Sequence, residues 1–440
     1  MNALNIKCLL VVILFAFIDM HTTAQCPASK YGITPVWPHS WTETERQNWY
    51  LDMSVHGQGF QSNGHTWRQI QVISDSNDLL ALRDEIHWAK TNGGIEKFLY
   101  QFKNPGPKVN SMPPLWCGNP LTDTNTTKAM YRYITGFLDT MHTELDYFVL
   151  GSEADVYFKG RPAERDSFLV MAEKLSLYID SIYPSLKFSV GVSLNGTLVP
   201  DTSLWHLVEP FTDFMAVSWW PLQSDYLADT LAVSSFASDM NLLLAEAGTK
   251  PIIITDCGIP TKSQPERYDL QSEFVRNTFL YTYNNPQIEA VGYQYLADFD
   301  SLSIEWYQGY FLSYNENAEI SISSRGLLDS TGVAKPAYDV YIAMLDTVCL
   351  HASTEEMKTE QSVHVWPVPC TDRLYFQPDG YTQVEICDAS GRVALSGQIP
   401  EQRSEEIVSV AYLEPGVWFL KLSGNGKVPA FSMFIKTGQP

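Results

Sequence analysis

Two short stretches hold the residues best suited to chemistry. Gly151-Ser152-Glu153-Ala154-Asp155 closes the apolar run Tyr147–Gly151, and Asp256-Cys257-Gly258 closes Pro251-Ile252-Ile253-Ile254-Thr255. A carboxylate just past an apolar strand faces the mouth of a cleft, where its pKa can rise enough for it to serve as a general acid. A second carboxylate across the same mouth can attack as a nucleophile or activate water, and the two together are suited to breaking a glycosidic bond. Either one alone is more often a solvated cap or turn. Their weight comes from the combination: two strand ends, three strands apart, each loaded with an acid.

Aromatic residues gather at comparable positions. Ser218-Trp219-Trp220-Pro221 ends one apolar run, Tyr293 and Tyr295 end another ahead of Asp298 and Asp300, and Trp37 and Trp67 flank two more. One such ring is as readily packed under a loop as exposed. Several at successive rim positions suit stacking on sugar faces. The composition agrees, with 21 Phe, 23 Tyr and 12 Trp against only 18% charged residues in 440. The formal net charge is -21, from 29 basic and 50 acidic side chains. That excess opposes binding to nucleic acid or anionic lipid and leaves a neutral or weakly charged polysaccharide as the expected partner.

The elements that must position these residues alternate between strand and helix. Strands are expected at Tyr31–Pro35, Trp67–Ile73, Glu96–Gln101, Tyr147–Gly151, Lys187–Val192, Phe214–Ser218, Pro251–Thr255 and Ala290–Tyr295. Helical patterns lie between them at Thr44–Val55, Ser76–Ala89, Lys128–Thr143, Ala163–Ile182, Leu204–Glu209, Leu231–Glu246 and Glu266–Tyr283, with Ala337–Leu345 after the last strand. Strands separated by helices argue a parallel sheet, and eight units over this length fit a closed (β/α)8 TIM barrel. An open nucleotide-binding sheet would carry a glycine-rich loop after its first strand, but Pro35-Val36-Trp37-Pro38-His39-Ser40 has no glycine. No G-x-S-x-G elbow occurs either. In such a barrel the loops after the strands build the site, which makes Glu153 and Asp256 the catalytic candidates. Trp37, Trp67, Trp219, Trp220, Tyr293 and Tyr295 become candidates for substrate binding.

The two ends read differently. Residues 1–24 hold Lys7, an apolar stretch from Leu9 to Ile18 and Thr22-Thr23-Ala24, the pattern of a secretory signal peptide cut after Ala24. A signal anchor is the competing reading, although about ten apolar residues are short for a bilayer span. No later apolar segment reaches spanning length. Six cysteines follow the cut. Cys26 with Cys349 and Cys370 with Cys387 are the preferred pairs, though an even count fixes no pairing. Residues 350–361 are polar and charged, a linker between a barrel of residues 25–349 and a tail of 362–440. The tail has short strand-like runs, Leu374–Phe376, Gln383–Cys387 and Trp418–Leu422, punctuated by Pro378-Asp379-Gly380, Ser390-Gly391, Pro415-Gly416 and Gly424-Asn425-Gly426. It reads as a small all-β sandwich.

The tail also resembles the C-terminal sorting domain of the type IX secretion system. The matching pieces are Trp366-Pro367-Val368-Pro369, Asp372-Arg373-Leu374, Asp388-Ala389-Ser390-Gly391-Arg392, Leu413-Glu414-Pro415-Gly416-Val417-Trp418-Phe419 and Phe434-Ile435-Lys436. Val368 stands where that family usually has Asn. The resemblance implies export to the medium or the cell surface of a Gram-negative bacterium, with the secretion machinery as partner; a carbohydrate-binding module is the alternative for the tail.

Residues 30–346 resemble the clan of retaining glycoside hydrolases built on (β/α)8 barrels. In that clan an Asn-Glu after the fourth strand supplies the acid/base and a Glu after the seventh the nucleophile. Ser152-Glu153 and Asp256 fall on these motifs, Ser152 replacing the Asn that bonds a sugar 2-hydroxyl and Asp256 replacing Glu. Ser218-Trp219-Trp220-Pro221 resembles the Tyr-Tyr-Pro stretch of endo-β-1,4-galactanases. Gly326-Leu327-Leu328-Asp329, with Lys335-Pro336-Ala337-Tyr338, resembles the usual exit from the eighth strand. The resemblance implies hydrolysis of a β-linked polysaccharide, with no metal or organic cofactor required, and a monomer is expected. Arg68, near the second expected strand, is a candidate to steady Asp256, with a rim or core ion pair as the alternative. The shorter Asp256 leaves three outcomes open: retention with local compensation by the backbone, inversion across a wider pair, or a barrel or adhesin that binds glycan without cleaving it.

Overall fold

The computed structural model describes residues 27–38, 40–69, 78–106, 118–194, 203–222, 226, 228, 233–262, 266–283, 285–301, 303–304, 316–355, 363, 365–378, 380–388, 392–400, 406–424 and 430–437. The signal-peptide reading of residues 1–24, Cys26 and Cys117 lie outside them. Two compact units emerge, one spanning Gln25–Cys349 and the other containing Leu350–Pro440.

The first unit is a (β/α)8 barrel. Its strands are β1 (Tyr31–Thr34), β2 (Phe60–His65), β3 (Lys97–Phe102), β4 (Tyr147–Leu150), β5 (Lys187–Ser193), β6 (Met215–Trp219), β7 (Ile252–Cys257) and β8 (Ile288–Gln294). They pair in parallel in the order β1-β8-β7-β6-β5-β4-β3-β2. The circle closes at the β1–β2 seam by close backbone approach. A Cβ on Gly32 of β1 would lie 1.8 Å from the carbonyl oxygen of Phe60 in β2, so only glycine fits there.

Helices α1 (Glu43–Val55), α2 (Asp78–Thr91), α3 (Thr124–Met141), α4 (Ala154–Phe158), α5 (Pro162–Ile182), α6 (Leu204–Val208), α7 (Phe236–Ala247), α8 (Tyr268–Thr282), α9 (Glu316–Ser323) and α10 (Pro336–Glu355) accompany the strands. Local chemistry sets several starts. Thr42 and Glu45 form a capping box on α1, Asp123 accepts from Asn125 and Thr126 on α3, and Pro162 opens α5, where its missing N–H costs nothing.

Strand alternation sorts the core into two layers. Phe60, Leu99, Tyr147, Val149, Phe214, Ala216, Ile253 and Ala290 fill the barrel interior. The alternate residues, including Phe98, Phe148, Val217, Ile254 and Val291, pack outward in the larger core cluster shared with the helices. Toward the carboxyl ends the buried residues turn polar: Gln101, Ser193, Ser218, Asp256 and Gln294. That polar layer is the floor of the mouth.

The second strand differs from the sequence expectation. Residues 67–69 are helical, residues 70–73 fall outside the described set, and Phe60-Gln61-Ser62-Asn63-Gly64-His65 forms β2. This strand looks too polar for a barrel, but its polar groups have partners. Tyr50 Oη donates to Gln61 Oε1 at 3.0 Å, and His65 Nδ1 lies 2.9 Å from Tyr100 Oη. Tertiary context overrides propensity here. Within the expected linker, α10 continues to Glu355, and residues 356–361 lie outside the described set.

The second unit is an antiparallel sandwich. Strands β9 (Val365–Trp366), β10 (Arg373–Phe376) and β13 (Glu406–Ser409) form one sheet. Strands β11 (Gln383–Cys387), β12 (Val393–Gln398), β14 (Gly416–Ser423) and β15 (Ala430–Lys436) form the other. Leu374, Phe376, Ile386, Leu420, Leu422 and Phe434 are buried in its core. Cys370 and Cys387 are both free thiols, which overturns the expected pairing between them. Cys370 sits in the core while Cys387 lies on β11, its Sγ 3.9 Å from the Phe419 carbonyl.

Candidate active site

Asp256 reaches the barrel mouth through an irregularity in β7. Ile253 faces the interior, so plain alternation would turn a residue three positions later outward. The register shifts against both neighbours. On the β6 side Ile254 pairs with Val217 and Asp256 with Ser218; on the β8 side Ile254 pairs with Val291 and Cys257 with Tyr293. One extra residue is thus absorbed at the end of β7. Such bulges re-aim side chains beside active sites. Asp256 is brought alongside Ser218, while Cys257 pairs with Trp219 and Tyr293 in the outer core.

Asp256 is 4% exposed. Gln294 Nε2, from the end of β8, donates to its Oδ1 at 3.2 Å. Burial raises its pKa, partly offset by the positive charges of Lys103 and Arg325. Arg68, expected in that steadying role, is exposed on the helical turn after β2, so Lys103 beyond β3 and Arg325 beyond β8 take its place.

Glu153 follows β4 with φ 49° and ψ 45°, the left-handed region. A side chain there costs about 1 kcal/mol or more, a strain typical of functional positions. The turn is held by neighbours. Ser152 N donates to the Pro105 carbonyl at 3.0 Å, and Asp155 accepts from Ser193 N at 2.7 Å and Ser193 Oγ at 2.5 Å, tying the start of α4 to the end of β5. The Glu153 carboxyl reaches β6, where its Oε1 accepts from Trp220 Nε1 at 2.6 Å and Ser218 Oγ at 3.0 Å. Burial raises its pKa. The two hydrogen bonds and Arg325 oppose that rise, and Asp155 adds to it.

Arg325 links the two acids electrostatically. Its guanidinium lies 4.1 Å from the Trp220 ring centre, and its Nη2 donates to Ser321 Oγ at 3.0 Å. The segment carrying it is anchored by a buried ion pair. Lys335 Nζ lies 2.6 Å from Asp298 Oδ1 and also bonds Thr261 Oγ1 and the Ser324 carbonyl, while Gly326 N donates to the same Asp298 oxygen.

The expected ring platforms are mostly elsewhere. Trp67 and Trp219 are each 2% exposed and Tyr293 is 3% exposed. Trp219 and Tyr293 occupy outward strand positions, Trp219 against Phe236 and Phe274 and Tyr293 near Phe274 and Tyr341. Trp67 packs near Tyr133. Trp37 is half-buried among Trp41, Trp49 and Tyr50, and Tyr295 is buried beside Phe299. These rings form core packing rather than one exposed surface, a correction to the stacking roles assigned to them. Trp220 does reach the site, through its indole N–H. Ser218, Gln294, Lys103 and Arg325 are additions. Strand parity pointed to the first two, since they alternate with the outward Trp219 and Tyr293. The two cations lie in loops that periodicity does not reach. Among the described residues no group of three or more His, Cys, Asp or Glu could hold a metal ion.

Residues 364–436 match the secretion system C-terminal sorting domain, and the protein is accordingly one secreted by or displayed on a Gram-negative bacterium. No helix among the described residues is long and apolar enough to cross a membrane. No curated protein matches by sequence. In fold the chain is similar to solved glycoside hydrolases. Bacteroides uniformis beta-glucuronidase 2, covalently bound to cyclophellitol-6-carboxylate aziridine, is 13% identical with a TM-score of 0.50, covering 93% of this chain and 46% of that one. This chain therefore spans about half the length of that relative. A GH5_18 protein from Streptomyces cattleya in complex with GlcNAc is 14% identical with a TM-score of 0.57, covering 78% and 83%. The exo-beta-1,4-mannosidase of Opitutaceae bacterium strain TAV5 is 15% identical with a TM-score of 0.57, covering 78% and 60%. The shared feature is the barrel fold.

Proposed function

We propose that the protein is a glycoside hydrolase acting outside the cell on a β-linked polysaccharide, with Glu153 as acid/base and Asp256 as nucleophile. The observation that carries this reading is the meeting of the two acids at Ser218. Glu153 is bonded to the Ser218 hydroxyl, and Asp256 is the register partner of Ser218. Both acids are thus tied to the end of the same strand, and hydrolysis by either mechanism requires their carboxyl groups to stand about 5–9.5 Å apart. The likeness in fold to solved glycoside hydrolases supports the reaction class.

In the retaining version, Glu153 protonates the leaving oxygen while Asp256 attacks the anomeric carbon. Glu153 then takes a proton from water as the sugar is released. A raised pKa suits Glu153 for the first step. Asp256 must be ionised to attack; Lys103 and Arg325 favour that form. Ser152, half-buried beside Glu153, is the residue we assign to bond a sugar hydroxyl. We take the enzyme to be a monomer that is endo-acting, with β-1,4-galactan as the first substrate to test because of the Ser218-Trp219-Trp220-Pro221 stretch.

The test is release of reducing ends from plant, algal and microbial β-glycans by wild type, E153Q and D256N. Loss in both variants supports the assignment, and activity unchanged in both removes these residues from the mechanism. Proton NMR of the first-formed product separates retention from inversion. One observation favours a second reading, a glycan-binding barrel that does not cleave: Asp256 is nearly closed off from solvent and bonded to Gln294. Binding of a β-glycan by wild type, with no reducing ends released, would establish it.

A further inference from the structure

Trp220 is the ring of the expected platform set that bonds Glu153, and its geometry suits it poorly to stacking on a sugar. The Arg325 guanidinium lies over the ring at 4.1 Å, and the indole N–H is committed to Glu153 Oε1 at 2.6 Å. An indole nitrogen can only donate, so the direction of this bond is fixed by chemistry. The Ser218 hydroxyl donates to the same oxygen at 3.0 Å. Oε1 therefore receives two donors, while Oε2 has no hydrogen bond from any described residue. When Glu153 is neutral, a proton on Oε1 would have to displace one of those donors. The vacant lone pairs are on Oε2.

We propose that Trp220 is a positioning residue for Glu153: by occupying Oε1 it places the transferable proton on Oε2 and points that oxygen at the leaving group, with Arg325 holding the indole plane in place. The proposal rests on Glu153 being the acid/base. It assigns Trp220 a role in proton placement rather than in substrate affinity, and it makes Oε2 the oxygen that cycles its proton through both halves of the reaction. The charged groups around this arrangement are Asp155 on the same turn, Arg325 from the segment after β8, and Asp256 with its neighbour Lys103 across Ser218. None of them donates to Oε1, so the effect of removing the indole N–H is separable from theirs.

The decisive variant is Trp220→Phe, which keeps an aromatic face for Arg325 and removes only the donor. A donor to the carboxylate stabilises the ionised form, so its loss must move the Glu153 titration to higher pH. The alkaline limb of kcat/KM, where the acid loses its proton, should move the same way. The expected result is a kcat about tenfold lower or more, with KM nearly unchanged. A sugar platform would behave in the opposite manner, with KM rising and the alkaline limb fixed, and that result overturns the proposal.

A readout independent of turnover is carbon-13 NMR titration of the full chain labelled at glutamate carboxyls, with the Glu153 signal identified by its absence in E153Q. An upward shift of the midpoint in W220F supports the proposal, and an unchanged midpoint overturns it. S218A, which removes the other donor from the same oxygen, should shift the midpoint in the same direction and covers the case of W220F failing to fold. A shifted midpoint in a chain that hydrolyses no glycan would uphold the role of Trp220 and reject the catalytic reading.

Discussion

Ser218 and Asp256 are Cα partners across β6 and β7, although Asp256 stands three residues beyond the inward-facing Ile253. Only the bulge at the end of β7 reconciles these two facts, and it has a chemical consequence. Under the proposed role of Asp256 as nucleophile, an Asp is one methylene shorter than the Glu of the glycoside hydrolase clan, and the bulge is the local backbone feature that would compensate for the missing reach. Extending the side chain as well should overshoot. D256E is therefore expected to lower kcat at least tenfold, and D256N to lose about 10²-fold or more, both folded as wild type. The measurement is kcat on the best substrate from the β-glycan screen. A D256E variant as active as wild type would mean that the bulge compensates for nothing.

Glu153 should make stability depend on pH. Its carboxyl has a folded-state pKa raised above the ordinary glutamate value, chiefly by burial. Between the unfolded and folded values the native state holds the extra proton, so stability falls as pH rises through that window and stays lower above it. E153Q keeps the shape and removes the ionisation. Its melting temperature should match wild type near pH 4 and exceed it above the window, with the gap opening as pH increases. A constant gap across this range would show that Glu153 titrates normally.

Much of this arrangement was legible in the sequence, and the parts that were not have identifiable physical causes. The alternation of apolar runs located seven of the eight strands, because Val, Ile and Phe repeat where helices and sheet share a core. Phe60–His65 escaped because buried Gln61 and half-buried His65 pair with Tyr50 and Tyr100, pairings between distant positions that no local pattern announces. Glu153 and Asp256 were found as acids closing apolar runs. The rings were misjudged because residue type was weighed above strand parity: Trp219 and Tyr293 stand one position from the inward Ser218 and Gln294, and one position is the difference between the helices and the mouth. Arg325 was invisible because its place depends on a loop anchored by Asp298 and Lys335.

Two glycines separate backbone closure from helix propensity. At Gly32 an added Cβ would lie 1.8 Å from a backbone oxygen of the neighbouring strand, and backbone cannot swing aside as a flexible side chain can. G32A should cost about 3 kcal/mol or more by forcing the β1–β2 seam apart. Gly136 lies exposed inside α3 with nothing within 4 Å of an added Cβ. G136A should gain about 0.5–1 kcal/mol. Urea unfolding of both variants reads the two signs, and a stable G32A would place the seam elsewhere.

The Asp298–Lys335 pair carries the last expectation. The two side chains are 7% and 4% exposed and 2.6 Å apart. Burial raises the pKa of Asp298 and lowers that of Lys335, each toward its neutral form despite the partner's charge. Desolvation thus outweighs attraction, the usual balance for a buried ion pair. Removing one partner leaves the other charge stranded, so K335M should cost about 3–5 kcal/mol. Replacing both, as D298L with K335M, should recover a good part of that loss, because it removes the desolvation of both charges. The backbone N–H of Gly326, which donates to Asp298, then loses its acceptor, so recovery should be incomplete. Arg325 adjoins that N–H, and in the double variant its hold on the Trp220 ring should loosen. The corresponding signature is a melting temperature mostly restored while kcat stays depressed. A double variant no more stable than K335M would show the pair to be net stabilising.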